Sequence, residues 1–231
     1  MKKLVLFDID GTLLHSRGAG RRAIHAAILA ELGAEAPPNT VRFDGKTDPQ
    51  IVRELLGVAN HPDQHDEARI AAVCRRYVTL LEAELAGGGR ETVVYPGVEV
   101  LLELLELKGD AVLGLVTGNV VEGARLKLAA AGIRHERFRI GAFGSDHHDR
   151  AHLPPIAAER AAGLMGRVPR GAEIVIIGDT PADMTCGRSV DARAIGVATG
   201  SYAAADLLAA GAYAVFEDLS EPARVLDVIY A

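Results

Sequence analysis

The sequence contains 231 residues, of which 24% are charged, and it has a formal net charge of −6 at pH 7. The length accommodates one α/β domain with a smaller insertion, since single domains usually contain ~50 to ~250 residues, and the modest, mixed charge favours a small ligand over nucleic acid. No apolar run approaches the ~20 residues that span a bilayer, and the N-terminal apolar run meets Asp8 too early for a signal peptide, so we expect a cytoplasmic protein without membrane attachment.

Six short apolar runs predict buried strands. They cover residues 3–7, 111–116, 138–143, 173–177, 192–197 and 212–216. Helical patterns lie between most of them, at residues 98–107, 120–131 and 155–164. Because strands and helices alternate, the sequence predicts an α/β fold with a doubly wound, mostly parallel sheet that is covered on both faces.

The stretch from about His15 to Thr92 contains helical patterns and no convincing strand. The pattern predicts helices over residues 21–32, 49–56 and 66–85, the last of them followed by glycines 87–89. This block separates the first strand from the rest of the α/β pattern. We therefore expect an all-helical domain, residues 15–94, inserted into a core formed by residues 1–14 and 95–231, with hinges near residues 14–20 and 91–97.

Two acidic residues follow the first predicted strand, in the segment Asp8-Ile9-Asp10-Gly11-Thr12. Asp8 and Asp10 are two positions apart, so in an extended chain both carboxylates point to the same side. They would lie at the carboxyl edge of the sheet, where open parallel sheets bind ligands. Asp and Gly are also ordinary turn residues, so an acidic turn without a function is the alternative from these residues alone.

A small polar turn, Thr117-Gly118-Asn119, follows the second predicted strand of the sheet. The threonine hydroxyl and the backbone N–H groups after it could hold phosphate oxygens at a helix N-terminus. Taken alone, the turn is better explained as a simple helix cap.

Residues 178–183, with the sequence Gly-Asp-Thr-Pro-Ala-Asp, follow another apolar strand. Thr180, Pro181 and Asp183 together are typical of a helix start, which gives Asp183 a purely structural alternative. Asp179 has no such structural explanation.

The three motifs, residues 6–13, 115–119 and 174–183, together resemble those of the haloacid dehalogenase (HAD) superfamily of phosphatases. The resemblance covers nearly the whole chain, and the helical insertion resembles the C1-type cap of phosphoglycolate phosphatase-like members. It implies a Rossmann-like core and a Mg²⁺-dependent enzyme that hydrolyses a phosphomonoester of a small metabolite.

The resemblance also implies roles for the acidic residues. Asp8 would attack phosphorus to form an aspartyl-phosphate, and Asp10 would protonate the leaving oxygen and then activate water. Mg²⁺ would be bound by Asp8, Asp179 and the backbone carbonyl of Asp10, with Asp183 binding the metal or orienting its water. Thr117, Gly118 and Asn119 would bind phosphate.

The basic residue of the site is where the sequence departs from the family. Many members carry Lys-Pro-x-Pro before a helix, whereas this chain has His152 where lysine is common. We favour Arg150, two positions earlier, as the cation beside Asp8. Lys127 is the alternative, although it lies about two turns into a helix that runs away from the catalytic edge.

Thr47 lies in the segment from Phe43 to Asp48, which resembles a loop of relatives with a helical cap. This resemblance predicts contact with substrate. An N-cap at Thr47 or Asp48 before Pro49 is about equally well supported.

Two other functions remain open from the sequence. A phosphomutase of the β-phosphoglucomutase type would share every core residue and differ in keeping the phosphate. A non-catalytic module that only accepts a phosphoryl group would have no use for Asp10 or for a long cap. We expect a small phosphorylated metabolite as the partner and a monomer or homodimer, and the sequence does not identify the substrate.

Overall fold

The computed structural model describes residues 2–35, 39–87 and 91–231 of the chain. Eight strands are found in this part of the molecule. They are β1 (Lys3–Phe7), β2 (Leu14–His15), β3 (Val93–Val94), β4 (Ala111–Thr117), β5 (Ile140–Phe143), β6 (Ile174–Gly178), β7 (Arg193–Val197) and β8 (Ala214–Phe216).

Nine α-helices accompany these strands in the described ranges. They are α1 (Ala19–Leu32), α2 (Asp48–Val58), α3 (Glu67–Ala86), α4 (Val98–Lys108), α5 (Val121–Ala130), α6 (Leu153–Met165), α7 (Pro181–Cys186), α8 (Ala204–Ala210) and α9 (Pro222–Tyr230). None of the described helices is both long and apolar enough to cross a membrane.

Six of the strands form one sheet in the order β5-β4-β1-β6-β7-β8, and every neighbouring pair is parallel. The predicted doubly wound α/β fold is therefore confirmed. The chain adds strands on one side of β1 and then on the other, so the order reverses between β1 and β6. Open α/β sheets bind ligands at such a reversal, beyond the carboxyl ends of the strands.

The register brings three strand ends together at this edge. Phe7, the last residue of β1, lies opposite Leu115 of β4 and Ile177 of β6. Asp8 continues the pairing, because its N–H donates to the Ile177 carbonyl at 2.9 Å. The segments that follow β1, β4 and β6 therefore leave the sheet side by side.

Alternate residues of β1 pack on opposite faces of the sheet, as the strand period requires. Val5 and Phe7 are buried in a cluster that includes residues of α4, α5 and α9. Leu4 and Leu6 are buried on the other face, against α6. The sheet is thus covered on both faces, and β1 is fixed by apolar packing on each side.

Helices α1, α2 and α3 form the stretch between β2 and β3, and they share a separate buried cluster. β2 and β3 pair with each other as a short antiparallel ribbon where the chain enters and leaves this stretch. The ribbon lies at the two ends of the stretch, and the described residues between 16 and 92 contain no strand, as the sequence predicted. Gly87 ends α3, while Gly88 and Gly89 lie outside the described residues.

Several element bounds differ from the prediction. The strand expected at 138–143 begins at Ile140, because a 3₁₀ turn at His135–Arg137 takes up the chain before it. Helices α8 and α9 were not predicted. The proposed division into a core and an inserted domain stays a prediction.

Candidate active site

Three carboxylates meet where β1 and β6 end. Oxygen atoms of Asp8, Asp179 and Asp183 all lie within 4.8 Å of one another, and all three side chains are buried. Gly11 makes the close approach possible, since it has a φ of 85° and a Cβ there would stand 2.2 Å from Asp179 Oδ2. The Thr12 hydroxyl donates to Asp179 Oδ1 at 3.1 Å.

The crowding of carboxylates shifts their pKa values. Burial raises the pKa of Asp8 to about 6, with Arg150 opposing the shift and Asp183 and Asp10 adding to it. Burial, followed by the charges of Asp183 and Asp8, raises the pKa of Asp179 well above its ordinary value. A nearby cation would relieve this repulsion. The donors are hard oxygens, which is the ligand set that Mg²⁺ prefers, so the residues fit that ion.

Arg150 supplies the positive charge beside Asp8. It lies in a 3₁₀ turn before α6, and its guanidinium is buried, with Nη2 3.1 Å from Asp8 Oδ1. The same nitrogen donates to the Val116 carbonyl at 3.2 Å and to Asp183 Oδ1. Arg150 Nε has no hydrogen-bond partner among the described residues.

Asp183 is held at both carboxylate oxygens. Oδ1 accepts from Arg150, and Oδ2 accepts from the Thr180 N–H at 3.0 Å and from the Thr180 hydroxyl at 2.7 Å. The structure therefore shows the helix-start arrangement at α7 together with an ion pair to Arg150. Asp183 therefore belongs to the carboxylate cluster and also caps the start of α7.

Lys127 is paired with Asp10. Its ammonium lies 2.6 Å from Asp10 Oδ2 and 2.6 Å from Asn119 Oδ1, and Asn119 Nδ2 donates to Asp10 Oδ2 at 2.8 Å. Burial favours the protonated form of Asp10, but the Lys127 charge and hydrogen bonds from Lys127, Asn119 and Ser16 lower its pKa overall. The two basic residues that the sequence offered as alternatives both lie at the site, Arg150 against Asp8 and Lys127 against Asp10.

The turn after β4 joins the sheet edge to the helical stretch. Thr117 is buried, and its hydroxyl oxygen accepts from the Asn119 side chain at 2.8 Å. A Cβ on Gly118 would stand 2.0 Å from the Lys46 carbonyl oxygen, so only glycine fits there. The Gly118 carbonyl accepts from the Asp48 N–H at 2.7 Å.

Thr47 does not face the site. It is fully buried, and its hydroxyl accepts from the Gln50 N–H at 3.2 Å as the N-cap of α2 and donates to the His148 carbonyl at 2.6 Å. The structure thus corrects the expectation of substrate contact at Thr47 in favour of the helix-cap alternative. Its neighbours Lys46 and Asp48 line the cavity instead.

A cavity of about 420 Å³ lies between the sheet edge and helices α1 to α3. The residues named so far in this subsection line the cavity, with the exception of Thr12, Thr47, Gln50, Val116, His148 and Asp183. The helical stretch lines it through Phe43, Lys46 and Asp48, which belong to the segment expected to contact substrate, and through three residues that were not predicted, Gly20, Arg21 and Tyr77. The segment 43–48 was noticed in the sequence, but Tyr77 lies within the apolar pattern of α3 and has no local signal that separates it from the core.

Asp48 is a buried carboxylate in the cavity wall whose pKa is shifted by its surroundings. Its Oδ2 accepts from the Val120 N–H at 2.9 Å. Burial raises the pKa of Asp48 to about 6, with the charge of Lys127 and the Val120 hydrogen bond opposing and Asp10 adding to the shift. It therefore links the start of α2 electrostatically to the pair of Lys127 and Asp10.

Both the sequence and the fold of the chain are similar to those of known proteins. Residues 2–191 match the model of the haloacid dehalogenase-like hydrolase family. The chain is 28% identical over 191 residues to a phosphoglycolate phosphatase of Cereibacter sphaeroides, covering 82% of each chain, and 27% identical over 224 residues to one of Rhodospirillum rubrum, covering 95% of this chain and 89% of the relative. A hydrolase structure from Pseudomonas syringae superposes over 100% of both chains with a TM-score of 0.73 and 22% identity.

Proposed function

The chain belongs to the haloacid dehalogenase-like hydrolase family and is a phosphatase of that family, and we propose that it hydrolyses a small phosphomonoester through an aspartyl-phosphate on Asp8, with Mg²⁺ as cofactor. The observation that carries this proposal is the pairing of two carboxylates with two cations at one sheet edge. Arg150 Nη2 lies 3.1 Å from Asp8, and Lys127 Nζ lies 2.6 Å from Asp10.

Asp8 is the nucleophile of the proposed reaction. One of its oxygens bonds to phosphorus as the bond to the ester oxygen breaks, and the leaving oxygen takes that electron pair and a proton from Asp10. Asp10 must therefore carry a proton in the substrate complex, against the lowered pKa that Lys127 gives it in the free site. In the second step Asp10 removes a proton from water, the water oxygen bonds to phosphorus, and Asp8 is released with orthophosphate. Arg150 keeps Asp8 ionised and oriented.

The phosphate oxygens would be held by the turn after β4. The Thr117 hydroxyl and the backbone N–H groups of Gly118 and Asn119 lie before α5, and helix N-termini favour anions. Lys127 reaches the same place through its pairing with Asn119. Donors that are held in place by the fold stabilise the charge that develops on the phosphate oxygens in phosphoryl transfer.

Asp8 and Asp179, with the Asp10 carbonyl, are the residues that we assign to Mg²⁺. When bound, the ion would offset the charge of the phosphate and of the two carboxylates. Asp183 already has a partner at each oxygen. We therefore assign Asp183 to holding Arg150 and to orienting water on the metal rather than to a primary ligand position.

The helical stretch is the proposed cap of the site. Its residues form one wall of the cavity, so residues 15–94 would exclude bulk water from the reacting phosphate and select the substrate. The cytoplasmic location and the monomeric or homodimeric state stay predictions from the sequence.

Release of orthophosphate tests the proposal directly. The enzyme with Mg²⁺ should release orthophosphate from at least one small phosphomonoester over many turnovers, and acid quench during turnover should trap one phosphoryl group on Asp8. Asp8→Asn should lower kcat by about a thousandfold or more and leave thermal unfolding nearly unchanged, because volume is kept while the nucleophile is lost. Transfer of phosphate to a second hydroxyl would indicate a phosphomutase, and a single phosphorylation without turnover would indicate a binding module.

A further inference from the structure

Tyr77 is a buried residue with an unused hydroxyl. Its side chain packs within the cluster shared by α1, α2 and α3 and is 0% exposed. The ring fits beside α5 because Gly123 has no side chain, since a Cβ there would stand 3.4 Å from Tyr77 Cε1. Tyr77 lines the cavity, and its buried hydroxyl has no hydrogen-bond partner among the described residues. Buried polar groups of this kind need a partner, and here the cavity is where one can be supplied.

The hydroxyl of Tyr77 keeps its proton at ordinary pH. Burial, followed by the charges of Asp48, Asp10 and Cys74, raises its pKa well above the usual value for tyrosine. The O–H is therefore available as a hydrogen-bond donor, and a ligand oxygen that accepts from it would satisfy it.

The first turn of α1 faces the same part of the cavity. Gly18, Gly20 and Arg21 line the cavity, and α1 has 14 residues with neither a side-chain cap nor an acidic residue in its first turn. The Ala19 N–H donates to the Ser16 carbonyl at 3.0 Å, and the Arg22 N–H donates to the Gly18 carbonyl at 3.1 Å, so the N–H groups of Gly20 and Arg21 belong to the first turn, before the regular helical bonds begin. Uncapped N–H groups at a helix start attract negative charge.

Gly20 brings the two features together. A Cβ at this position would stand 3.6 Å from the Tyr77 hydroxyl oxygen and 3.3 Å from the Lys127 ammonium. The absence of a side chain therefore leaves a space bounded by the turn, the tyrosine and the lysine.

The side-chain charges around this space balance, with Asp10 and Asp48 against Lys127 and Arg21. Asp10 is paired with the Lys127 ammonium, which stays protonated because Asp10 and Asp48 raise its pKa despite its burial, and Asp48 accepts from the Val120 N–H. The partial positive charge at the N-terminal end of α1 is left without a counter-charge, and an anion is the group that it favours.

We propose that the Tyr77 hydroxyl and the first turn of α1 bind an anionic group, a carboxylate or a second phosphate, on the leaving-alcohol side of the substrate. The inference rests on the proposed function, because it places the anion beside Asp10, which protonates the leaving oxygen. The Lys127 ammonium lies 2.6 Å from Asp10 Oδ2 and would lie 3.3 Å from a Cβ on Gly20, so the space is close to the proposed acid. An anion bound there would be attached within a few atoms of the ester oxygen. Tyr77 is thus a specificity-determining residue.

Matched esters test the proposal. 2-Phosphoglycolate and 2-hydroxyethyl phosphate differ only in a carboxylate against a neutral hydroxymethyl group, and 1,3-propanediol bisphosphate and monophosphate differ in the second phosphate. Tyr77→Phe should lower kcat/KM about tenfold or more for the anionic member of one pair and less than about threefold for its neutral partner, since hydrogen bonds to charged groups are the strong ones. The pair that responds identifies the anion. Tyr213→Phe, at an exposed tyrosine outside the cavity, is the control.

Calorimetric binding separates this inference from the proposed function. In an Asp8→Asn background the esters are not turned over, and adding Tyr77→Phe should weaken binding of the anionic ester about tenfold and leave the neutral ester unchanged. Equal weakening of both members of each pair, or no weakening of either anion, overturns the subsite even if hydrolysis is observed. A parent enzyme that shows this selective binding but releases no orthophosphate overturns the proposed function and leaves the subsite supported.

Discussion

The ammonium of Lys127 lies 2.6 Å from Asp10 Oδ2, although the lysine is the seventh residue of a helix that begins after the turn 117–119. Its long side chain runs back along α5 to the site and also contacts Asn119. Because Asp10 is the proposed acid and base, this ion pair fixes the carboxylate that must handle the proton. The sequence had suggested a mild role for Lys127, and the geometry suggests a stronger one.

Replacing Lys127 by methionine should lower kcat by about ten- to a hundredfold, because Asp10 and Asn119 lose the cation that orients both of them. The measurement is steady-state kinetics on the best substrate, with thermal unfolding to confirm the fold. Lys108→Met, at the end of α4, is the matched control. An unchanged kcat would remove Lys127 from the catalytic site.

Replacing Arg150 by methionine should lower kcat by about a hundredfold or more and also reduce stability by about 3–5 kcal/mol, because Asp8 and Asp183 are left as buried charges without their cation. Arg150→Lys should restore part of kcat, since one ammonium can reach Asp8 but cannot reproduce the planar donors to Asp183 and the Val116 carbonyl. Denaturant unfolding and kcat are measured on both variants. Equal kcat values for the two would show that the charge of this residue does not matter.

Binding of Mg²⁺ should stabilise the protein, because the ion offsets the repulsion that raises the pKa values of Asp8 and Asp179. At a concentration of 100 times Kd, the gain in unfolding free energy is about 2.7 kcal/mol. Thermal unfolding is followed during Mg²⁺ titration after chelation, and Asp179→Asn should abolish the shift. Asp44→Asn, at another cavity residue outside the carboxylate cluster, should keep it. A shift that survives in Asp179→Asn would place the ion elsewhere.

Asp48 should make stability fall as pH rises between about 4 and 6. Its pKa is raised from 3.8 to about 6 in the folded protein, so the folded state binds more protons than the unfolded state in that window. The contribution is fully present below pH 3.8 and is lost as pH rises through about 6, amounting to about 3 kcal/mol at most. Asp48→Asn keeps an acceptor for the Val120 N–H and removes the titration. The unfolding free energy of the parent minus that of the variant should therefore decline across this window, and a flat difference would contradict the assignment.

Gly118→Ala should reduce stability by about 1–3 kcal/mol and lower kcat/KM, because the new methyl group would overlap the Lys46 carbonyl and push the loop before α2 away from the site. The control is Gly163→Ala in α6, where a Cβ meets nothing within 4 Å. That change should be neutral or stabilise by about 0.5–1 kcal/mol. Denaturant unfolding of both variants is the measurement, and equal effects would show that the close approach at Gly118 is not required.

The residues at the strand ends could be predicted from the sequence. Asp8, Thr117 and Asp179 each follow an apolar run, and the parallel-sheet rule brings such positions to one edge without any knowledge of side-chain packing. At these positions the local sequence pattern and the topology of the sheet predict the same location. The predicted family was confirmed by the match over residues 2–191.

The residues that the helical stretch contributes could not be predicted in this way. Tyr77 has the same spacing as the core residues of α3, and only the packing of α3 over the sheet places it in the cavity wall. Asp48 and Thr47 are both plausible caps in sequence, and the tertiary contacts of Thr47 with His148 and of Asp48 with Val120 decide which of them meets the cavity. Such choices depend on distant parts of the chain.

The antiparallel ribbon of β2 and β3 limits how the helices above the sheet can move. The two chain segments that enter and leave the helical stretch are hydrogen-bonded to each other, and the Tyr95 N–H adds a bond to the Leu13 carbonyl at 3.0 Å. Two separate linkers would let α1 to α3 swivel and tilt in many directions, whereas a paired ribbon bends mainly about one axis. In the proposed closure over a ligand, the ribbon would restrict α1 to α3 to few orientations, and less rotational entropy would be lost on each closure. The ribbon begins four residues after Asp10, so the same bend would carry the wall of the cavity toward or away from the proposed acid.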